Sequence, residues 1–262
     1  MNILEEIIAY KKEFVKNSKE KVPFLELVKK LDKNTLAPRF AEEISQNGVH
    51  LIAEIKKASP SRGIIREDFD SAAIARAYFS GRASCLSVLT DEKFFKGSLS
   101  DLDAVVSVVD LPILRKDFII NEYQVYESKA HQADAILLIA AVLKAGELKD
   151  LLDLARQIGL DALVEVHSAQ ELEFSLDCGA AIIGINTRNL KDFSIDMNIL
   201  PELIARVPPD KLCVSESGIR SAKDLEFFRG LEVDAVLVGE ALMRAEDIAA
   251  ATDEFVHALE RL

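Results

Sequence analysis

Residues 162–185, with the sequence ALVEVHSAQELEFSLDCGAAIIGI, contain one complete strand–helix–strand unit. The apolar run Ala162–Val166 predicts a buried strand, because continuous apolar runs are typical of parallel strands that are covered on both faces. Ser168 and Glu171 have the spacing of a helix N-cap, in which their side chains satisfy unpaired backbone amides at the helix start. A second apolar run, Ile182–Ile185, follows the helix. This stretch therefore predicts a βαβ unit within a parallel sheet.

The same pattern recurs along the chain from Val49 onward, where short apolar segments alternate with stretches of helical spacing. The predicted strands are His50–Ile55, Cys85–Leu89, Pro112–Leu114, Ala135–Ala140, Ala162–Val166, Ile182–Ile185, Leu212–Val214 and Ala235–Val238. Eight strand–helix units joined by right-handed crossovers close most naturally into an α/β fold of the (β/α)8 TIM barrel class. A doubly wound open sheet is the alternative that the same pattern allows.

The chain is predicted to form one domain over residues 1–262, because barrels of this class commonly extend to about 250 residues as a single unit. Residues 49–262 would form the barrel, and residues 1–48 an N-terminal helical extension. In this extension, Ile7 and Ile8 would share one apolar helix face. The extension is expected either to cover the amino end of the barrel or to lean over its carboxyl rim, and the pattern does not choose between these positions.

The composition limits the kinds of partner. A formal charge of -12 repels phosphate backbones and anionic lipid surfaces, so neither nucleic acid nor a membrane is expected as a partner. The N-terminus lacks the basic start and long apolar core of a secretory signal, and no apolar run approaches the ~20 residues that span a bilayer. Cys85, Cys178 and Cys213 have no zinc-like spacing and form no closed disulfide framework. We therefore expect reduced thiols in the cytoplasm and no metal site.

Polar residues follow several predicted strands, at the end of a parallel barrel where functional residues gather. Glu54 and Lys56 share one face of the first strand, and Asn186 and Arg188 share one face of the sixth, because side chains alternate along a strand. A charge among apolar strand ends costs several kcal/mol of lost hydration unless it is paired or used. Any one of these residues could simply solvate the chain as it leaves the core. Polar residues occur at this same end of the first, third, fifth, sixth and seventh predicted strands, and their joint occurrence predicts a shared site.

Glycines after the last two strands predict an anion-binding site. Gly218 follows the seventh strand and Gly239 the eighth, where barrels often bind phosphate. Glycine allows close approach of the backbone, and amides at a helix start supply donors, although each glycine alone could be a turn. Phe95 and Phe118 on rim loops would contact a flat apolar ligand or else cap the core. These features predict a small, phosphorylated, doubly anionic substrate.

From its N-terminal helices through Met243, the chain resembles the indole-3-glycerol phosphate synthase family of tryptophan biosynthesis. The motifs that carry the resemblance are LIAEIKKASPS at 51–61, LTDEKFF at 89–95, LRKDFI at 114–119, LVEVH at 163–167, IN at 185–186, RNL at 188–190 and SESGI at 215–219. Thr187 and Asn121 stand where the family usually has an Asn and an acidic residue. Neither departure touches a proposed chemical role.

The resemblance implies a reaction and the residues that carry it. The substrate would be carboxyphenylamino-deoxyribulose phosphate, which is converted to indole-3-glycerol phosphate by ring closure, decarboxylation and dehydration. This carboxy-lyase reaction would need no metal or organic cofactor. Lys116 would be the general acid that protonates the ketone oxygen. Glu165 and Glu54 would serve the dehydration, with Lys56 adjusting their protonation or acting as a second acid, and the division of these roles stays open.

The resemblance also predicts which residues contact the substrate. Those that would hold the phosphate are Lys56, Ser59, Gly218 and Gly239. Those on the carboxylate side are Arg188 and Asn186. Those that would enclose the ring or complete the wall are Phe95, Phe118, Leu190, Glu216, Ser217 and Glu240. No partner beyond this small molecule is expected, and the chain is predicted to be a monomer or a weak homodimer.

Two other functions stay open at this point. Another phosphate-binding barrel, such as phosphoribosylanthranilate isomerase, would use a Cys–Asp acid–base pair, yet Cys85 lies within a predicted strand and not at the rim. A catalytically inactive barrel kept as an assembly partner would be expected to lose Lys116, Glu165 or Lys56. All three of these residues are present, so the pattern favours the synthase reaction.

Overall fold

The computed structural model describes residues 3–31, 38–189 and 193–262. Within these ranges, parallel strands close into a barrel in which each strand pairs with its neighbours in sequence. The strands are β1 (His50–Ile55), β2 (Cys85–Leu89), β3 (Ile113–Lys116), β4 (Ala135–Ile139), β5 (Asp161–Val166), β6 (Ile182–Asn186), β7 (Leu212–Glu216) and β8 (Ala235–Val238). Since β1 pairs in parallel with both β2 and β8, the predicted (β/α)8 barrel is confirmed and the open sheet was wrong.

The strands agree with the predicted ones in place but not in every boundary. Three of them continue into polar residues, so that β3 ends at Lys116, β6 at Asn186 and β7 at Glu216. These residues keep the strand pairing, with Lys116 opposite Leu89 and Asn186 opposite Glu216. Boundaries drawn at the last apolar residue were therefore too short at the carboxyl ends. The ladder continues there because the backbone pairs regardless of the polarity of its side chains.

Helices cover the outside of the barrel. In chain order they are α1 (Ile3–Lys21), α2 (Phe24–Leu31), α3 (Phe40–Ile44), α4 (Ser71–Ser80), α5 (Leu99–Val106), α6 (Glu122–Ala130), α7 (Ala145–Gln157), α8 (Ala169–Asp177), α9 (Ile199–Ile204), α10 (Glu240–Met243) and α11 (Ile248–Leu259), with a 3₁₀ helix at Ala222–Phe228. Ser168 caps α8 as predicted. Ser221 and Asp224 also form a capping box, although the helix that they begin is the 3₁₀ helix. None of the described helices is long and apolar enough to cross a membrane.

The core has two layers because side chains alternate along each strand. In β5, Val164 and Val166 belong to the outer layer that packs against the helices. Leu163 belongs to the layer inside the barrel. Glu165 has the same parity as Leu163, so its carboxylate enters the barrel interior at the carboxyl end of the strand. This parity brings charged residues from several strands into one space.

Helices of the N-terminal extension pack against both ends of the barrel. At the amino end, Phe40 and Ile44 of α3 are fully buried, and the Ala41 amide donates to the Asp161 carboxylate at 2.8 Å. At the carboxyl end, α1 packs Ile7 against the interior layer, which includes Phe118 and the rim aromatic Phe95. Both positions considered from the sequence are therefore occupied, by different helices of the extension.

A buried lysine joins α1 to the barrel rim. The Lys11 side chain is fully buried, and its Nζ lies 3.0 Å from Asp91 Oδ2 and 2.6 Å from Asp117 Oδ1. Asp91 follows β2 and Asp117 follows β3. Burial alone would raise the pKa of Asp117, but the Lys11 ammonium and the Arg115 guanidinium lower it to about 2. This ion pair fixes α1 against the loop that carries Phe95 and against the end of β3, where Asp117 follows Lys116.

We expect Lys11→Met to lower the free energy of unfolding by about 3–5 kcal/mol, because Asp91 loses its buried counter-ion and Asp117 keeps only Arg115. Urea unfolding at neutral pH measures this loss. Lys16→Met on the exposed part of the same helix is the matched control, since the Lys16 side chain is 67% exposed. A loss for Lys11→Met no larger than that of the control would contradict the role of this ion pair.

Candidate active site

A cavity of about 370 Å³ opens at the carboxyl end of the barrel. It is lined by nearly all the residues that the sequence predicts for the site: Glu54, Lys56, Ser59, Phe95, Lys116, Phe118, Glu165, Asn186, Arg188, Glu216, Ser217, Gly218, Gly239 and Glu240. Leu190 lies outside the described residues. The predicted residues come from β1, β2, β3, β5, β6, β7, β8 and the loops that follow them, so the barrel itself brings them together.

The ammonium of Lys116 lies at the centre of the charged part of the cavity. Its Nζ is 3.2 Å from Glu216 Oε2, 3.7 Å from Glu165 Oε2 and 3.8 Å from Glu54 Oε1. These carboxylates stand at or near the carboxyl ends of β7, β5 and β1. Lys56 adds a second ammonium, which donates to Glu54 Oε2. Two cations and three carboxylates therefore form one buried cluster.

The cluster shifts the pKa values of its members. Burial lowers the pKa of Lys116, but the carboxylates of Glu216, Glu165 and Glu54 raise it above its ordinary value. Burial likewise opposes the ionisation of Glu54, yet Lys56 and Lys116 lower its pKa. At neutral pH, Lys116 is consequently an ammonium and Glu54 a carboxylate. A proton donor and an ionised acid thus coexist within one cavity.

Glu216 differs from the other carboxylates of the cluster. Burial raises its pKa, the nearby Lys116 lowers it, and the charges of Glu165 and Glu54 raise it again, with the result that its pKa lies at about 7. The sequence predicted Glu216 as part of the cavity wall. Glu216 contacts Lys116, so the cluster contains a carboxyl group that can gain or lose a proton near neutral pH.

The remaining walls are polar on one side and aromatic on another. The Arg188 amide donates to Asn186 Oδ1 at 3.0 Å, which fixes the turn between these two cavity residues. Burial lowers the pKa of Arg188 and the charge of Glu240 opposes this shift. Phe95 and Phe118 lie with their ring centroids 6.2 Å apart and tilted by 41°. These two rings form an apolar wall within reach of a flat ligand.

The two predicted glycines are required by close contacts. Gly218 has a φ of +89°, which side-chain-bearing residues rarely adopt, and a Cβ there would meet Met197 Sδ. A Cβ at Gly239 would meet the Glu54 carboxylate. Gly239 is therefore needed to make room for a member of the charged cluster, whether or not its amide also contacts a phosphate.

Sequence reasoning missed the arginines at the mouth of the cavity. Arg62, Arg220 and Arg244 all line it. Glu240 Oε1 lies 3.2 Å from Arg62 Nε and 3.1 Å from Arg244 Nε, so its carboxylate is shared between two guanidinium groups. The sequence does place these arginines close to the predicted anion-binding loops. Cations gathered in this way in an acidic chain indicate a site for an anion.

A metal centre is not formed by these carboxylates. Among the residues that the structure describes, no three His, Cys, Asp or Glu side chains are grouped as ligands for a metal ion. Glu54, Glu165 and Glu216 surround an ammonium, which occupies the position where their charges meet. The arrangement can donate and accept protons beside a bound anion. The fold and the site therefore define a (β/α)8-barrel enzyme that works at the carboxyl rim of its strands.

Comparison with known proteins identifies the family. The family model described as indole-3-glycerol phosphate synthase matches residues 4–255, and the chain belongs to that family. An indole-3-glycerol phosphate synthase from Thermoanaerobacter pseudethanolicus is 45% identical over 254 residues, which cover 97% of each chain. One from Campylobacter jejuni subsp. doylei is 46% identical over 248 residues, covering 94% of this chain and 96% of its own. The resemblance found in the sequence is confirmed, and the chain is a carboxy-lyase of tryptophan biosynthesis.

More distant solved structures share the fold. Thiamine phosphate pyrophosphorylase from Pyrococcus furiosus has a TM-score of 0.63 at 17% identity and covers 81% of this chain and 96% of its own. The 3-hexulose-6-phosphate synthase of Salmonella typhimurium has a TM-score of 0.66 at 13% identity, with 81% and 99% covered. At such low identity these structures support the barrel architecture alone.

We expect the charge state of Glu216 to make stability depend on pH. Its folded pKa of about 7 lies above the ordinary value of 4.5, so the folded protein binds more protons than the unfolded chain between these two values. The wild type should therefore lose stability relative to Glu216→Gln as the pH rises from about 4.5 to about 7. Thermal unfolding of both proteins across this range measures the difference.

The matched control for this experiment is Glu254→Gln, which changes an exposed carboxylate of α11. Its stability curve should run parallel to that of the wild type. If the curve for Glu216→Gln is also parallel to the wild type between these pH values, Glu216 does not titrate in the way described.

Proposed function

We propose that this cavity converts carboxyphenylamino-deoxyribulose phosphate to indole-3-glycerol phosphate, with Lys116 as the general acid of ring closure. The observation that carries the proposal is the Lys116 ammonium, held among three carboxylates in the cavity of a family member. The reaction is redox-neutral, since one carbon–carbon bond forms while carbon dioxide and water leave. It therefore requires acids and bases but no electron carrier.

In the first step, the aromatic carbon that bears the carboxylate attacks the ketone carbon. Negative charge then develops on the ketone oxygen, where the Lys116 ammonium donates a proton. The carboxylates around Lys116 hold this ammonium charged before the step. Loss of carbon dioxide restores the aromatic ring and leaves a ring that carries a hydroxyl group.

In the second step, this hydroxyl leaves as water and a proton leaves the neighbouring carbon. Glu165 and Glu54 are the carboxylates that we propose for this dehydration, with Lys56 as a second acid or as the group that sets their charge. A base must be ionised when it acts, and the low pKa of Glu54 meets this requirement. How Glu54, Lys56 and Glu165 divide the roles is left to mutational kinetics.

The phosphate end of the substrate is proposed to lie against the loops after β1, β7 and β8. The groups that would contact it are Lys56, Ser59 and the backbone at Gly218 and Gly239. Arg62, Arg220 and Arg244 line the same cavity and concentrate positive charge in a chain whose formal charge is -12. This local field favours an anion that the protein as a whole would repel.

The aromatic end is proposed to lie on the other wall. Arg188 with Asn186 would hold the substrate carboxylate, since a guanidinium matches its two oxygens. The ring would be enclosed by Phe95 and Phe118, together with Leu190. Ser217, Glu216 and Glu240 would complete the wall. Only the substrate, and not the product, carries the carboxylate that Arg188 recognises.

The wider setting of the enzyme follows from the same reasoning. We propose that residues 1–262 act as one domain, because Lys11 of the extension is buried against the rim of the barrel. The free cysteines Cys85, Cys178 and Cys213 are all buried, which suits a reducing compartment such as the cytoplasm. A monomer or a weak homodimer is proposed, with the phosphorylated small molecule as the partner.

The rival functions are less well supported. Cys85 is the first residue of β2, at the amino end of the barrel, whereas the cavity lies at the carboxyl end. A Cys–Asp pair of the isomerase type could not reach a substrate there. An inactive assembly partner would have no use for Lys116, Glu165 and Lys56 in one cavity.

We predict that Lys116→Met lowers kcat by about 10²–10⁴-fold with a smaller effect on KM, because the proton is needed mainly in the transition state. Turnover is measured as the increase in fluorescence when the indole product forms. Lys223→Met is the control, since Lys223 is exposed on the 3₁₀ helix. Turnover of Lys116→Met close to that of the wild type would refute the assignment.

We predict that Arg188→Ala weakens binding of the substrate more than binding of the product. The reason is that decarboxylation removes the group that this guanidinium would hold. Both affinities can be measured by calorimetry in a Lys116→Met background, in which the predicted loss of kcat slows turnover during the titration. Equal losses for the two ligands would rule out carboxylate recognition by Arg188.

A further inference from the structure

His167 lies behind the cavity, between two carboxylates. It follows β5 directly, and its side chain is 15% exposed. Its Nε2 lies 3.4 Å from Glu165 Oε1, inside the barrel, and its Nδ1 lies 3.3 Å from Glu171 Oε2 in α8. The imidazole therefore bridges a carboxylate of the site and one on the outer helix layer.

Glu171 is held in place by the start of α8. Its Oε2 accepts a hydrogen bond from the His167 backbone amide at 2.8 Å, and its own amide donates to Ser168 Oγ at 3.2 Å. This reciprocal capping fixes the carboxylate without help from the imidazole. Nδ1 of His167 therefore faces a carboxylate whose orientation is held by the backbone.

A carboxylate lies beside each ring nitrogen of His167, and this arrangement favours the doubly protonated imidazolium. A neutral imidazole has one N–H and one lone pair, so whichever tautomer forms, a lone pair faces a carboxylate. The imidazolium donates from Nδ1 to Glu171 and forms an ion pair with Glu165 through Nε2. Burial lowers the pKa of His167, but the hydrogen bond to Glu171 and the charges of Glu165, Glu171 and Glu216 raise it overall.

The two oxygens of Glu165 are divided between two cations. Oε1 faces His167, while Oε2 lies 3.7 Å from Lys116 Nζ. Glu165 is itself buried, with 3% of its side chain exposed. A cation near each oxygen restricts the orientation of a buried carboxylate.

We propose that His167, as an imidazolium anchored by Glu171, is a positioning residue that holds the Glu165 carboxylate in the orientation needed for the dehydration. This inference rests on the proposed role of Glu165. His167 lies outside the lining of the cavity and contacts the site through Glu165. It acts through Glu165 alone.

The proposal gives the pH profile of kcat an alkaline limb. As the pH rises through the pKa of His167, the imidazolium loses its proton and Glu165 Oε1 loses the positive charge beside it. The charged groups that face this unit are Glu165 of β5, Glu171 of α8, Glu216 of β7 and, through Glu165, Lys116 of β3. The raised pKa of Lys116 keeps it charged in this range, whereas Glu216 has a pKa of about 7 and also titrates there. The limb is therefore assigned to His167 by comparing the pH profile of the wild type with that of His167→Gln.

Three variants test the proposal through the pH dependence of kcat and KM. His167→Gln should lower kcat by up to about 100-fold, the cost of a misplaced catalytic group, while KM stays near that of the wild type. It should also remove the alkaline limb. Glu171→Gln keeps an oxygen that can accept from the His167 amide but removes the charge, so the limb should move to lower pH. Glu173→Gln, with a side chain 71% exposed in the same helix, should leave the profile unchanged.

The outcomes separate this inference from the proposed function. An alkaline limb that is the same in His167→Gln as in the wild type, or that does not move in Glu171→Gln, overturns the positioning role. Either result leaves the wild-type turnover and the loss in Lys116→Met untouched. Failure of the wild type to form the indole product would instead refute the proposed function itself.

Discussion

The structure depends on a single electrostatic constraint, which is that the buried ammonium of Lys116 must be compensated by carboxylates from other strands. Removing a charge from water costs several kcal/mol, and the cost is recovered only when opposite charges lie close by. Here the compensation comes from Glu54, Glu165 and Glu216, whose strands are far apart in the sequence. The barrel brings these carboxylates around Lys116, because its parallel strands place their carboxyl ends around one space.

The same constraint explains features at a distance from the cavity. Gly239 leaves room for the Glu54 carboxylate. Lys11 of α1 pairs with Asp117, the residue that follows Lys116, so the extension is bound to the end of the strand that carries the central ammonium. On the other side, His167 stands against Glu165. The charged cluster is thus in contact with groups held by the extension, by the residue after β8 and by α8.

The sequence predicted the barrel from local regularities, and it predicted nearly all of the cavity from polar strand ends together with the resemblance to the synthase family. Apolar runs mark strands, and alternation along a strand places Glu54 with Lys56 and Asn186 with Arg188. What it could not give are contacts between side chains that are distant in sequence. Lys11 falls in the buried helix row of Ile7 and Val15, yet nothing local identifies Asp91 and Asp117 as its partners. The raised pKa of Glu216 likewise depends on neighbours from three other strands.

The most direct test of this account is an NMR titration of the Lys116 side chain, with the resonance assigned by its loss in Lys116→Met. The account predicts that the ammonium keeps its proton beyond pH 10.5, the ordinary pKa of a lysine, because three carboxylates outweigh the effect of burial. A midpoint below that value would show that burial dominates, and would contradict the claim that the carboxylate cluster holds Lys116 charged.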